Sequence, residues 1–213
     1  MPATPRERLG SPKSTVRSIQ DYRPDPGGAP PRLEAFDSDP DVAAVGPKVL
    51  NVDGTLQEAG CLLFRSGRPR FYGFGDDPEK PEYNVRRIVD YSSASCLLVR
   101  RRAFHDVGGF DPLYAPFYFE DVDLGLTFAT RGWKTLFEPR SVVTHLRGAS
   151  ETVKEAAIQV WSHHETAFEA RWRQFLAPYP RFVPPGGNRD LLLEARDLPA
   201  CGSRATYQGK SEP

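Results

Sequence analysis

The chain has 213 residues, which is long enough for one or two domains with a sizeable core. Its 28 Lys and Arg residues balance its 28 Asp and Glu residues, so no overall charge favours nucleic acid or an anionic membrane. Proline and glycine are concentrated in the first 40 and the last 37 residues, which predicts one packed unit between two linker-like ends.

The sequence contains neither a recognisable membrane span nor the apolar core of a signal peptide, because no apolar run approaches roughly 20 residues. We expect a cytoplasmic protein, with peripheral attachment at the membrane as a further option. The three cysteines are odd in number and far apart, which is typical of a reducing compartment. No CxxC or HxxxH spacing occurs, so a zinc site is not expected.

The first half of the chain alternates between breakers and apolar runs. Residues 1–32 have no helical or strand period and are predicted to be a low-complexity, disordered linker. The pattern then predicts, in order, the end of a helix at residues 33–36, strands at Val42–Leu50, Gln57–Phe64 and Arg87–Val99, and a Gly, Pro and Asp rich loop at Ser66–Tyr83.

The second half is predicted to be mainly helical. The predicted elements are helices at Arg101–Val107, Glu120–Arg131 and Glu151–Leu176, and short strands at Trp133–Phe137 and Val142–His145. In the last helix Trp161, Phe168, Trp172 and Phe175 recur near helical spacing, which indicates a core-facing stripe. We interpret the adjacent His163 and His164 as surface residues that cannot share a metal. Residues 177–213 are predicted to be a disordered Pro and Gly rich tail.

Three carboxylates lie within four residues at Glu120, Asp121 and Asp123, between an aromatic run and an apolar helical pattern. They fall on the first turn of the predicted helix, where unpaired N–H groups and the helix dipole favour an ionised carboxylate. An ionised carboxylate near neutral pH can accept a proton. Acids in a first helical turn also occur for capping alone, and the octapeptide by itself does not decide between the two roles.

The motifs around these acids occur in a defined order. They are the segments Val45–Leu50, Asp53–Gly60, Tyr72–Gly75, Val89–Arg100 and Asp106–Asp111 upstream, and Arg131–Pro139 and Val142–His145 downstream. Gly108–Asp111 reads GGFD and Glu120–Leu124 reads EDVDL. In this order and spacing the chain resembles the family 2 glycosyltransferases over roughly residues 33–176.

This resemblance implies a fold and an activity. The fold class expected is α/β, with the mixed sheet of the GT-A fold (nucleotide-diphospho-sugar transferase-like) flanked by helices. Members of the family transfer a sugar from a nucleotide-diphosphate donor to a glycan, lipid-linked or other hydroxyl acceptor. They invert the anomeric configuration, usually with a divalent cation such as Mg or Mn. The implied function is therefore carbohydrate biosynthesis rather than nucleic-acid binding.

The resemblance also implies roles for particular residues. Asp121 is expected to be the general base, with Glu120 as its motif partner. Asp90, Ser93 and Ala94 match a segment on the acceptor side of the cleft, where Ala94 replaces a glycine and can crowd a close substrate. Asp123 is expected to cap or brace the helix rather than to contact substrate directly, although both roles stay open. The histidine that matches His145 ligates the metal in some members, against a structural histidine as the alternative.

The nucleotide-binding half that precedes this region in the family has no counterpart before residue 33. Asp37–Asp39 has the letters of an Asp-x-Asp metal motif, but no apolar strand precedes it. We therefore expect an incomplete GT-A domain that starts with an unpaired edge strand and is impaired or dependent on a missing half. A misassigned start, a second chain that supplies this half, and a degraded remnant are all compatible with the sequence.

Other function classes remain as alternatives. A noncatalytic remnant could keep the acceptor cleft and bind a glycan or a partner enzyme. A calcium-binding EF-hand starting at Asp121 fails, because its sixth and twelfth positions are Leu126 and Gly132. A two-carboxylate hydrolase is conceivable but remote, since neighbouring residues on one helix rarely face each other across a substrate.

Overall fold

The computed structural model describes residues 14–16, 22–24, 29–146 and 154–181. In these ranges the strands are β1 (Ser14–Val16), β2 (Tyr22–Pro24), β3 (Val42–Leu50), β4 (Leu56–Glu58), β5 (Cys61–Leu63), β6 (Pro69–Phe71), β7 (Arg87–Val89), β8 (Leu98–Arg100) and β9 (Lys134–His145). The helices are α1 (Ala29–Ser38), α2 (Arg101–Asp106), α3 (Glu120–Thr130) and α4 (Lys154–Leu176). The predicted tail falls outside the described residues from residue 182 onward.

Seven of the strands form one mixed sheet. Its main order is β1-β8-β3-β9-β2, with β4 paired to β3 and β7 paired to β9, while β5 and β6 form a separate hairpin. The β3–β9 pair is parallel, and the other pairs of this sheet are antiparallel. Helices pack against the sheet, which confirms the predicted mixed α/β architecture.

Strand β3 is the centre of the sheet. Eight of its nine residues are buried, as is typical of a strand covered on both faces. It lies between β8 and β9, so the expectation that the first strand of the matched region is an unpaired edge is wrong. The edge positions of this order are taken by β1 and β2, which come from the predicted linker. The parallel partners β3 and β9 require a long crossover, and α3 lies within it.

Three predicted strands have different boundaries in the structure. The run Gln57–Phe64 divides into β4 and β5, because Gly60 turns the chain with φ +80. The run Arg87–Val99 divides into β7, a short 3-10 turn at Ala94–Cys96, and β8. The strands predicted before and after Pro139 form one strand, β9, whose register against β3 shifts between Pro47 and Lys48. Three extra β9 residues are accommodated by this bulge, so the proline does not end the strand.

The predicted helices are present with small changes in their ends. The helix predicted to end near residue 36 is α1, which starts at Ala29 and so crosses the predicted boundary at residue 33. Helix α3 starts at Glu120 as predicted, and α4 ends at Leu176 as predicted. The largest buried cluster joins α3, α4 and β5 through side chains that include Val122, Leu126, Phe168, Trp172, Leu176, Cys61 and Leu63. This packing holds α3 against α4 and against the β5–β6 hairpin.

Candidate active site

The turn that leads into α3 has an unusual backbone. Tyr118 and Phe119 both adopt positive φ, at 73° and 72°. For residues with a Cβ this conformation costs roughly 1–2 kcal/mol each, so the surroundings must hold it in place. His164 of α4 contributes to this, since its Nδ1 lies 3.2 Å from the Phe117 carbonyl oxygen and 3.0 Å from the Tyr118 carbonyl oxygen. Because carbonyls only accept, Nδ1 carries the proton and donates.

His164 is thus a buried polar residue, with 3% of its surface exposed, and the expectation that it lies on the surface is wrong. Its neighbour His163 is exposed, as predicted. The sequence did contain a signal, because His164 lies between Trp161 and Phe168 on the aromatic stripe of α4. Trp161, at the start of that stripe, is 36% exposed and packs its ring on Tyr118 and Phe119 instead of entering the core.

Asp121 lies on the first turn of α3 and is held by two backbone N–H groups. Its Oδ2 accepts from Ala94 N–H at 3.1 Å, and its Oδ1 accepts from Val122 N–H at 2.8 Å. The residue is partly exposed. Burial of the carboxyl raises the pKa of Asp121 above its ordinary value, and the two N–H donors oppose this change. We expected the N-terminus of the helix to keep Asp121 ionised by lowering its pKa. Burial has the larger influence on this pKa and raises it instead.

Asp123 joins α3 to α4. Its Oδ1 accepts the indole N–H of Trp172 at 2.8 Å and lies 3.5 Å from Arg171 Nε. Only 4% of its surface is exposed, and burial raises its pKa. Both of these contacts are to α4, and the N-cap residue of α3 is Phe119 rather than Asp123. Asp123 therefore sits in a bracing position between two helices.

The predicted acceptor-side segment lies next to Asp121. Ala94 provides the N–H that binds Asp121, and Ser93 Oγ lies 2.6 Å from Ser95 Oγ. Asp90 is 8% exposed, and its Oδ2 accepts the Leu63 N–H at 2.9 Å. The structure therefore brings Ser93, Ala94 and Asp121 together, and it places Asp90 at the base of the segment as a contact to β5.

His145 is the last residue of β9 and lies beside Gln57. Its Nδ1 lies 2.9 Å from Gln57 Oε1. Among the described residues no group of three His, Cys, Asp or Glu side chains is placed to hold a metal ion. Glu120, the first residue of α3, is partly exposed. No helix in the described part of the chain is long and apolar enough to span a membrane.

Glu58 is a site residue that the sequence interpretation missed. It ends β4 fully buried, and its Oε1 accepts from Ser92 Oγ at 2.9 Å and from Ser93 N–H at 3.2 Å. Burial raises the pKa of Glu58 to about 7. An acid in a predicted strand whose later residues, Ala59–Phe64, are apolar or glycine was the available signal, since such a position forces a carboxylate into the core.

A mixed sheet flanked by helices, with a carboxylate at the start of α3, is a GT-A-like arrangement. The solved structure of GalNAc-T7 with UDP, GalNAc and Mn2+ has a similar fold, with a TM-score of 0.50 and 18% identity, over 86% of this chain and 37% of that chain. Residues 79–176 match the family described as Glycosyltransferase like family 2. The matched segment thus belongs to glycosyltransferase family 2, which confirms the resemblance found in the sequence.

Two named relatives agree with this family. The chain is 33% identical over 154 residues to the N-acetylglucosaminyl-diphospho-decaprenol L-rhamnosyltransferase of Mycobacterium tuberculosis, which covers 67% of this chain and 50% of the relative. It is 30% identical over 175 residues to the O-antigen biosynthesis protein RfbC of Myxococcus xanthus, which covers 78% of this chain and 12% of that protein. The chain thus spans half or less of the length of these relatives.

Proposed function

We propose that this chain takes part in the inverting transfer of a sugar from a nucleotide-diphosphate donor to an acceptor hydroxyl, with Asp121 as the general base. The family match supports a glycosyltransferase. The observation that carries the assignment of the base is the position of Asp121, which is partly exposed at the start of α3 with one N–H donor on each carboxylate oxygen. Each oxygen keeps a lone pair for a proton.

The raised pKa of Asp121 suits this role. A general base works best when its pKa lies close to the working pH while the carboxylate is still ionised. Burial raises the pKa of Asp121, and the N–H groups of Ala94 and Val122 limit that rise. A carboxylate in this environment is a stronger proton acceptor than an exposed aspartate.

The reaction proposed is a single displacement. Asp121 takes the proton of the acceptor hydroxyl as the acceptor oxygen forms a bond to the anomeric carbon of the sugar. The bond from that carbon to the diphosphate oxygen breaks on the opposite face, and its electron pair leaves with the nucleoside diphosphate. Attack opposite the leaving group inverts the configuration of the anomeric carbon.

The name of one relative supports a substrate class for this proposal. The Mycobacterium tuberculosis relative is a rhamnosyltransferase for N-acetylglucosaminyl-diphospho-decaprenol. We therefore propose a lipid-linked saccharide as the acceptor and a nucleotide-activated deoxysugar as the first donor to test. A lipid-linked acceptor also agrees with a peripheral location at the membrane. The chain spans 50% of the length of that relative. The transfer activity of the whole protein is therefore also a proposal.

The other predicted site residues have different proposed roles. We propose that Ser93 and Ala94 border the acceptor, that Glu120 assists Asp121 as its neighbour on the first turn of α3, and that Asp123 braces α3 through Trp172. The described residues do not complete a divalent cation site, and His145 is engaged with Gln57.

The test is the substitution Asp121→Asn in the protein as its native host produces it. Asparagine keeps the volume of the side chain but cannot take up the proton, so kcat should fall by about 100- to 10,000-fold. Donor affinity should change by less than about twofold, because the hydroxyl step and not donor binding is lost. Release of nucleoside diphosphate can be followed with a panel of nucleotide sugars and a lipid-diphosphate saccharide.

Asp106→Asn is the matched control. Asp106 is an exposed acid of α2 whose ion pair with Arg102 is at the surface, so this variant should keep the wild-type rate. Full activity of Asp121→Asn would refute the base assignment. Tight donor or glycan binding by a wild-type protein that shows no turnover would favour the noncatalytic alternative.

A further inference from the structure

Glu58 is a buried acid without a basic partner in the described part of the chain. Glu58 is fully buried, and none of the ion pairs of the described residues includes it. By contrast Glu138, which is also almost fully buried, pairs with Arg86 and Arg140. A buried carboxyl group without a cation is costly for the fold, so its retention calls for a specific contact that it makes.

That contact is with the segment beside Asp121. The Glu58 carboxyl accepts from Ser92 Oγ and Ser93 N–H, and the next residue, Ala94, donates its N–H to Asp121. Three consecutive residues are thereby held between two carboxylates. Glu58 and Asp121 come from β4 and α3, which are 63 positions apart in the sequence, and this segment is the hydrogen-bonded link between them.

Two glycines leave the space for this arrangement. A Cβ on Gly46 would lie 1.9 Å from Ser92 Oγ, the atom that donates to Glu58. A Cβ on Gly125 would lie 2.6 Å from the Asp90 carbonyl oxygen and 2.6 Å from Tyr91 Cβ. Strand β3 therefore approaches Ser92, and helix α3 approaches the two residues before it, so closely that neither glycine position leaves room for a Cβ.

We propose that Glu58 is a positioning residue for Asp121, because it fixes Ser92 and Ser93 and so places the Ala94 N–H that orients the Asp121 carboxylate. This inference rests on the function proposed for Asp121. Glu58 itself is buried and does not touch the substrate. Its effect on transfer is passed through the backbone of the segment.

The charges around Glu58 link this arrangement to pH. The titratable groups near it are Asp121, Cys61 and Tyr91, of which the thiol and the phenol have pKa values raised by burial. Burial, with a contribution from the charge of Asp121, raises the pKa of Glu58 to about 7 from its ordinary 4.5. The folded state therefore favours protonated Glu58. The stability that this contributes is fully present below pH 4.5 and is lost as the pH rises through about 7.

The experiment compares Glu58→Gln with Glu58→Met in the full chain by amide hydrogen exchange. Glutamine keeps an oxygen that accepts from Ser92 and Ser93, whereas methionine has a similar shape and no such acceptor. Relative to the amides of β3, the Ala94 amide should exchange at least about tenfold faster in Glu58→Met and within about threefold of wild type in Glu58→Gln. Unchanged Ala94 exchange in Glu58→Met would overturn the proposal.

Two further measurements separate a positioning role from a general loss of structure. In an Asp121→Asn background, which removes the other acid that contacts Ala94, the Ala94 amide shift should have an inflection near pH 7 that Glu58→Gln abolishes, and persistence of this inflection would overturn the proposal. Glu138→Gln removes the charge of another buried acid and should leave Ala94 exchange, relative to β3, unchanged. None of these measurements needs substrate, so they stand even if Asp121→Asn refutes the proposed base.

Discussion

Removal of the His164 side chain should release the turn that presents Asp121. In His164→Ala the carbonyl groups of Phe117 and Tyr118 lose their donor, and a buried donor or acceptor left unsatisfied costs about 1–3 kcal/mol. The ring also packs edge-on against Tyr114 at 5.6 Å, and its loss leaves a cavity. We expect the free energy of unfolding to fall by about 2–4 kcal/mol.

The adjacent His163 provides the control on the same helix. It is exposed, so His163→Ala should change the free energy of unfolding by less than about 0.5 kcal/mol. His164→Asn should recover part of the loss, because an asparagine amide N–H can reach the position of Nδ1. Urea unfolding followed by tryptophan fluorescence measures all three variants, since Trp161 packs against Tyr118 and Phe119.

The same variants also test how the turn is held. Tyr118 and Phe119 keep positive φ only while their surroundings compensate for the strain, so the loss of the His164 donor should let the turn relax and move Asp121. Transfer by His164→Ala should then fall more than its loss of folded protein explains. Equal stability of His163→Ala and His164→Ala would show that the contact to the turn is not important.

Two further changes test the packing of α3. Gly125→Ala should lower the free energy of unfolding in urea by about 1–2 kcal/mol, because the new Cβ would meet the Asp90 carbonyl oxygen at 2.6 Å. This clash outweighs the ~1 kcal/mol helix preference of alanine over glycine. A gain in stability would contradict this packing. Trp172→Phe removes the donor to the buried Asp123 and should cost about 1–3 kcal/mol. Because this donor lowers the pKa of Asp123, the loss should shrink as acid protonates the carboxyl, and a loss independent of pH would argue against the contact.

Elements whose residues carry their own periodic signal were predictable from the sequence. Helix α3 begins at Glu120 and α4 ends at Leu176, as the apolar spacing indicated, and β3 has the predicted bounds Val42–Leu50. The ordered motifs also identified the family, because they combine several local patterns whose order and spacing are visible in one dimension.

Strand boundaries that depend on partners were not predictable. Pro139 indicated a break, yet β9 continues through it because its parallel pairing with β3 absorbs the extra residues in a bulge. Likewise, the pattern of Gln57–Phe64 predicts one strand, but the chain turns at Gly60. As a result β4 pairs in the main sheet and β5 pairs in the hairpin. Pairing is a property of two segments, and one segment alone does not contain it.

For the candidate site, the sequence by itself determined that Glu120, Asp121 and Asp123 fall on one helical turn, since a first turn is set by neighbouring residues. Only the tertiary structure decided their environments. Burial by distant segments raises the pKa of Asp121, and a backbone N–H from Ala94 binds its carboxylate. The tertiary structure also places Glu58 beside the site. Burial and hydrogen bonding depend on which parts of the chain meet in space, and the sequence pattern alone does not contain this.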